Sequence, residues 1–204
     1  MFECLLATFA GYGALQSTPT VINLGMRFGW VDQPGVRKQH HTPTVRVGGI
    51  GITDDIRGLS PLVRLVLQAG VTCLVWTLGS RIESLPIPGF DPLSLGWLSL
   101  PVTFLWLAGV SNAVNWLDGL DGLAAGTGAI ASAILSIVCA QLGCPVEAVL
   151  ALSLSTSLLG FLYYNSRPAQ LFMGDGGAYL IGFLLSSLAI TGPMAHAASA
   201  STLW

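Results

Sequence analysis

Asn112, Asn115, Asp118 and Asp121 recur every three residues in Asn112-Ala-Val-Asn115-Trp-Leu-Asp118-Gly-Leu-Asp121-Gly122, a polar run between two apolar stretches. An ionisable side chain at membrane depth costs about 2.5–3.5 kcal/mol on insertion scales and marks function by default. The spacing keeps the polar residues loosely on one side of a helix while drifting around it. Asp118 is expected near a helix C-terminus, where the dipole disfavours an anion, so a positive or hydrogen-bonding partner should meet it. Asp121 directly precedes the apolar run Leu123–Leu142, and N-capping explains it as well as a ligand does.

Three other segments have residue types suited to phosphate chemistry. In the first, Asp32-Gln-Pro34-Gly-Val-Arg37-Lys38-Gln-His40-His41 leads to Gly48-Gly49, placing fixed cations beside flexible glycines. Lysine meets phosphate as a point charge and arginine as a fork, so the loop suits a phosphorylated ligand. A juxtamembrane basic loop attracted to anionic lipid explains it equally well. The paired histidines lack zinc spacing and any nearby cysteine. In the second, Asp54 and Asp55 are adjacent, and close like charges disfavour double ionisation. One could act as a base and the other orient it, although helix capping and an ion pair with Arg57 account more simply for this segment alone. In the third, Asn165-Ser-Arg167-Pro168 leads to Gly174-Asp175-Gly176-Gly177, whose glycines let backbone N–H groups approach an anion. Asp175 is a candidate ligand for Mg²⁺, which takes one or two carboxylates plus phosphate oxygens and water. A capped helix start after a glycine turn is the alternative for this loop by itself, and no Walker lysine follows.

The elements that position these segments are set by composition. Only 9% of the 204 residues are charged and mean hydropathy is +0.70. Six apolar runs approach the length of about 20 residues that a span requires: roughly Leu5–Met26, Leu62–Leu78, Leu98–Val114, Leu123–Leu142, Val146–Tyr164 and Ala178–Met194. The expected fold is all-α, a polytopic transmembrane bundle of about six spans, as one integral-membrane domain over residues 1–204. The third and sixth runs are short or interrupted, which predicts a distorted or re-entrant helix there. The N-terminus lacks a basic n-region and carries Glu3, unlike a signal peptide. Cys4, Cys73, Cys139 and Cys144 show no metal or redox spacing and read as small buried hydrophobes, with a Cys139–Cys144 disulfide as the alternative. Arg27, Arg37, Lys38, Arg46, Arg57, Arg64 and Arg167 fall on one face and Arg81 alone on the other, so the first face is cytoplasmic. Asp32, Asp54, Asp55, Asp118, Asp121 and Asp175 sort to that same face, which points to an interfacial site and not a charged path through the bilayer.

Together the four segments resemble the polyprenyl-phosphate N-acetylhexosamine-1-phosphate transferases, the glycosyltransferase family 4 of WecA, TagO and MraY. The Asp32-x-Pro34-x-x-Arg37-Lys38-x-His40 opening is more similar to the WecA/TagO branch. Asp54-Asp55, Asn112 to Gly126, Asn165-x-Arg167-Pro168-Ala and Phe172-Met-Gly-Asp175 carry the rest of the resemblance. The resemblance implies transfer of a sugar-1-phosphate, GlcNAc-1-phosphate first among the candidates, from a UDP-sugar to undecaprenyl phosphate. It implies Mg²⁺, or Mn²⁺ in its place, at Asp175. Asp54 and Asp55 take the catalytic positions, and Lys38, His40, Asn115, Asp118, Asp121 and Asn165 the substrate-binding ones. The implied setting is the plasma (inner) membrane with cytoplasmic active-site loops, a homodimer as one assembly state, and no nucleic-acid partner.

The chain departs from the family pattern in three places. Only Ile50-Gly51-Ile52-Thr53 separates Gly48-Gly49 from Asp54, where relatives place two further spans of about 40 residues together. The chain stops at Trp204, before the family's later helices and His-rich loop, and His196 lies on the wrong side to replace that loop. The usual Gly-Asp-Thr-Gly-Ser pattern here reads Gly174-Asp175-Gly176-Gly177-Ala178. These departures predict impaired turnover. The competing expectations are a non-catalytic membrane remnant or partner of a longer relative, and a small transporter using intramembrane acids.

Overall fold

The computed structural model describes residues 2–28, 31–32, 44–46, 60–85, 87 and 92–197. Helices α1 (Phe2–Phe28), α2 (Pro61–Thr77), α3 (Ser99–Leu117), α4 (Leu123–Gln141), α5 (Pro145–Asn165) and α6 (Gly174–Ala189) occupy the six expected apolar runs. By length and composition, Gly96–Leu117, Leu123–Gln141, Pro145–Asn165 and Gly174–Ala197 are long and apolar enough to cross a membrane; Pro61–Thr77 is apolar but shorter. The 27 residues of α1 include the polar stretch Gln16-Ser17-Thr18-Pro19-Thr20, which lowers its hydropathy. Two expectations about distortion separate here. The third run is no fragment: a 3₁₀ turn at Gly96–Leu98 enters α3 without interruption, and Asn112 and Asn115 stay helical. The sixth is distorted, with a π-helical turn at Ile190–Met194 around Pro193, whose ring cannot sit in a regular ladder.

Antiparallel pairing sets which residues share an end. Gln68 and Trp76 of α2 bond Asn112 and Ser99, and Ser136 and Ser155 bond across α4 and α5. The last turns of α1, α3 and α5 therefore gather with the first turns of α2, α4 and α6. Lipid supplies no hydrophobic drive between helices, so small residues and polar contacts set the packing. Ala124, Ala125, Ala129 and Ser132 present a small-residue stripe on α4, buried beside Val114, Leu158, Ala178 and Ile181. At the α3–α6 crossing, a Cβ on Gly182 would lie 2.5 Å from the Ser111 Cα, so only glycine permits the approach. The second core, Ile82, Leu95, Leu107 and Ile190, closes the far end.

Among the described residues, five short strands add two small sheets to the all-α frame. At the far end, β3 (Ser84–Leu85) pairs antiparallel with β4 (Leu93–Ser94). At the site end, β1 (Val31–Asp32) pairs antiparallel with β2 (Thr44–Arg46), and β2 pairs parallel with β5 (Leu171–Phe172). Val45 opposes Leu171 and Arg46 opposes Phe172, so the loop after α1 is stitched to the segment between α5 and α6.

Candidate active site

Asp118 is the C-cap of α3, as its place before Gly119 predicts, and its backbone N–H reaches Asn115 O at 3.2 Å. One turn earlier, the Asn115 amide nitrogen is buried and has no hydrogen-bond partner among the described residues. A buried donor left unmatched is costly, so an acceptor is expected to meet it.

Asp121 does not cap the next helix. The N-cap of α4 is Gly122, at φ +74°, and no side chain caps it. The left-handed backbone points Asp121 away from the helix start, and its Oδ2 instead accepts from the Ala169 N–H at 3.4 Å. Gly122 N–H donates to Asn165 Oδ1 at 3.1 Å, while Asn165 Nδ2 donates to Leu171 O at 2.8 Å. Asn165 is 3% exposed, so this amide braces the turn against β5. Any ligand contact expected of Asn165 would be transmitted through the turn it holds.

Asp175 lies in the first turn of α6, at a helix N-terminus that favours an anion. Its Oδ2 is 3.0 Å from Nη2 of Arg64 on α2, with the two side chains about 30% and 26% exposed. The sequence marked Arg64 only as part of the basic face. Its signal was legible: a cation in the first turn of a helix sits where the dipole opposes it.

The fold therefore brings Asp118, Asp121, Asn115, Asn165, Asp175 and Arg64 to one end of the bundle. Arg81, Glu83, Glu147 and His196 lie at the other, which leaves His196 remote from the site as expected. Lys38, His40, Asp54 and Asp55 lie outside the described residues; the first two belong to the segment linking β1 and β2. Asp55 precedes Ser60, the α2 N-cap, by five residues, a tether of about 18 Å at full extension. The cysteines divide: Cys139 is buried, but Cys144 is half-buried and Cys73 exposed, and all three are free thiols. The expectation of small buried hydrophobes therefore holds for Cys139 and fails for Cys73, while the side chain of Cys4 lies outside the described residues.

The available metal donors at this end are carboxylate oxygens, the hard set that Mg²⁺ takes. No group of three His, Cys, Asp or Glu side chains gathers around a common point among the described residues. One carboxylate completed by phosphate oxygens and water still satisfies Mg²⁺, and half-exposed Asp175 fits that mode.

Residues 42–193 match the model of glycosyl transferase family 4. The chain is 32% identical to the "Probable undecaprenyl-phosphate N-acetylglucosaminyl 1-phosphate transferase" of Bacillus subtilis, over 86% of this chain and 59% of the relative. It is 44% identical to a phospho-N-acetylmuramoyl-pentapeptide-transferase of Synechococcus sp., over 67% of this chain and 40% of the relative. A transferase of that same name from Halalkalibacterium halodurans is 36% identical over 72% of this chain and 49% of the relative. The chain thus spans about half the length of these relatives. In the Bacillus comparison about 175 residues of this chain align with about 210 of the relative, so about 35 of the relative's residues face gaps. A net internal shortening of that size is close to the one expected from the junction before Asp54.

Proposed function

Since the chain belongs to glycosyl transferase family 4, we propose that it transfers a sugar-1-phosphate from a UDP-sugar to undecaprenyl phosphate at the inner face of the plasma membrane. GlcNAc-1-phosphate is the group proposed. A lipid phosphate oxygen attacks the phosphorus that bears the sugar, a new P–O–P bond forms, and the bond to the uridine monophosphate side breaks.

One observation carries this reading. The Asn165 amide joins the Asp118–Gly122 turn to β5, drawing two motifs 43 residues apart into one site. Phosphoryl transfer is mostly positioning and charge neutralisation. Asp118 and Asn115 present, from one helix end, a carboxylate and an amide donor unmatched among the described residues, a pair suited to a sugar nucleotide's mix of donors and acceptors. Asp121 and Asn165 hold the turn that carries them. Asp54 and Asp55 are assigned to the lipid phosphate, whose second pKa near 6 leaves little proton to remove at neutral pH. Lys38 and His40 are assigned to the phosphates of the UDP-sugar. Mg²⁺, or Mn²⁺, held by Asp175 would neutralise the pyrophosphate charge that grows as the bond breaks.

The basic residues Arg27, Arg64 and Arg167 at the site end support a cytoplasmic orientation. A homodimer is part of the proposal: Leu62, Val66, Leu67 and Leu74 of α2 face outward as a surface for lipid or a second copy. The test is purified chain in lipid with UDP-GlcNAc, Mg²⁺ and undecaprenyl phosphate. Lipid-linked diphospho-GlcNAc and UMP should accumulate in equal amounts, more slowly than with a relative that has the residues facing the gap. No product from any UDP-sugar rejects the transfer reading.

A further inference from the structure

We infer that Arg64, Gln68, Asn112 and Tyr179 form a closed circuit of positioning residues that holds Asp175 and sets α2 in register with α6. The part it plays in turnover rests on the transfer reading above. Arg64 reaches Asp175 across the α2–α6 contact at 3.0 Å, and its guanidinium carbon is 6.0 Å from the Tyr179 ring centre. Tyr179 follows Asp175 by four residues, so both side chains leave the same face of α6. The Tyr179 hydroxyl donates to Asn112 Oδ1 at 3.3 Å. Asn112 Nδ2 donates to Gln68 Oε1 at 3.1 Å and to Ala108 O at 2.7 Å. Gln68 lies one turn beyond Arg64 on α2, which closes the path through three helices.

Each link is individually modest; interhelical hydrogen bonds within membranes average about 0.6 kcal/mol. Position makes the circuit informative. The rest of α2 is mostly apolar and outward-facing, with Thr72 its one buried residue and Trp76–Ser99 its other cross-helix hydrogen bond among the described residues. Non-directional apolar contacts would leave α2 free to slide or turn by a fraction of a residue. A guanidinium–carboxylate contact and an amide–amide bond one turn below are directional and restrict both movements. Because Asp55 precedes the α2 N-cap Ser60 by five residues, that register also bounds how far the paired aspartates can stand from Asp175.

The test uses the whole chain in lipid nanodiscs, with spin labels on Val63→Cys of α2 and Leu180→Cys of α6 and the native cysteines replaced. Both labelled positions are exposed. Arg64→Gln and Asn112→Ala should broaden or shift the label–label distance distribution, with Arg64→Lys restoring part of it. In the unlabelled chain, Arg64→Gln should lower kcat about 10- to 100-fold, as expected for a misplacement near 1 Å, with KM for the UDP-sugar held. Tyr179→Phe keeps the ring and removes one hydrogen bond, so it should cost about threefold and serves where Arg64→Gln fails to fold. An unchanged distance distribution in Arg64→Gln overturns the inference whatever the kinetics, because Arg64 would then act by direct contact. A shifted distribution with unchanged kcat overturns the functional half. If the parent chain turns over no UDP-sugar, the transfer reading fails alone, and the distance measurement still decides the circuit.

Discussion

The buried amide oxygen of Asn165 accepts a hydrogen bond from the Gly122 N–H at 3.1 Å, across 43 residues of chain. The same side chain holds Leu171 O through its nitrogen at 2.8 Å. Leu171 in turn opposes Val45 in the site-end sheet. One amide therefore ties the α3–α4 turn to the α5–α6 segment, and through β5 and β2 to the loop that follows α1. Three stretches that look independent in sequence share a single brace.

Asn165→Ala should loosen that brace measurably. It strips an acceptor from Gly122 and a donor from Leu171, and each buried group left unmatched costs about 1–3 kcal/mol. Asn165→Asp keeps the acceptor and loses the donor, so its melting temperature in detergent should fall between those of the parent and Asn165→Ala. A melting curve for Asn165→Ala that overlays the parent would show that the turn stands without it.

Gly122→Ala and Gly119→Ala separate backbone strain from mere loss of a glycine. At φ +74° a Cβ on residue 122 is strained and would also approach Leu162 Cδ1 to 3.2 Å. The left-handed backbone alone costs about 1–2 kcal/mol for a residue other than glycine. A Cβ on residue 119 meets nothing nearer than 3.7 Å, so Gly119→Ala should change stability by no more than about 0.5 kcal/mol. Thermal unfolding of the two variants side by side should show a clear loss for the first only.

The helices were readable because lipid makes their demand on sequence so simple: about 20 apolar residues and few charges. Ends were harder. Asn112 and Asn115 look like a break in hydropathy, yet backbone bonding carries α3 to Leu117. Asp121 looks like an N-cap, yet its neighbour's positive φ moves the cap to Gly122. The gathering of Asp118, Asp121 and Asp175 at one end followed from counting helix reversals. Arg64–Asp175 could not be read that way, since partner choice across helices depends on rotation about each axis, and periodicity in a nearly all-apolar helix leaves rotation undetermined. The β2–β5 pairing was hidden for a different reason: strands of two or three residues have no alternation to detect.

Helix direction makes orientation testable without activity. Ser166 lies just past the end of α5 at the site end, and Ser94 in β4 at the far end; both are exposed. With the native cysteines replaced, Ser166→Cys should react with a membrane-impermeant thiol reagent only in inverted vesicles, and Ser94→Cys only in intact cells. Labelling of Ser166→Cys from outside would reverse the proposed orientation and remove cytoplasmic UDP-sugar from consideration.

Asp175 offers the sharpest separation of chemistry from stability. Its partner Arg64 is about one quarter exposed, so its guanidinium stays partly solvated when the Asp175 charge is removed, and a screened pair of this kind contributes about 1 kcal/mol or less. Asp175→Asn should therefore unfold within a few degrees of the parent. Its turnover should nevertheless fall by about a thousandfold, the scale set by removing one preorganised electrostatic group from a transition state. Asp175→Glu keeps the charge but moves it by one methylene, and should recover activity only in part. In the parent chain, chelation should abolish turnover and added Mg²⁺ restore it, while in Asp175→Asn the Mg²⁺ needed for half-maximal rate should rise. If Asp175→Asn retains parental turnover and the same Mg²⁺ dependence, the metal is held elsewhere, and Asp54 or Asp55 becomes the ligand to test.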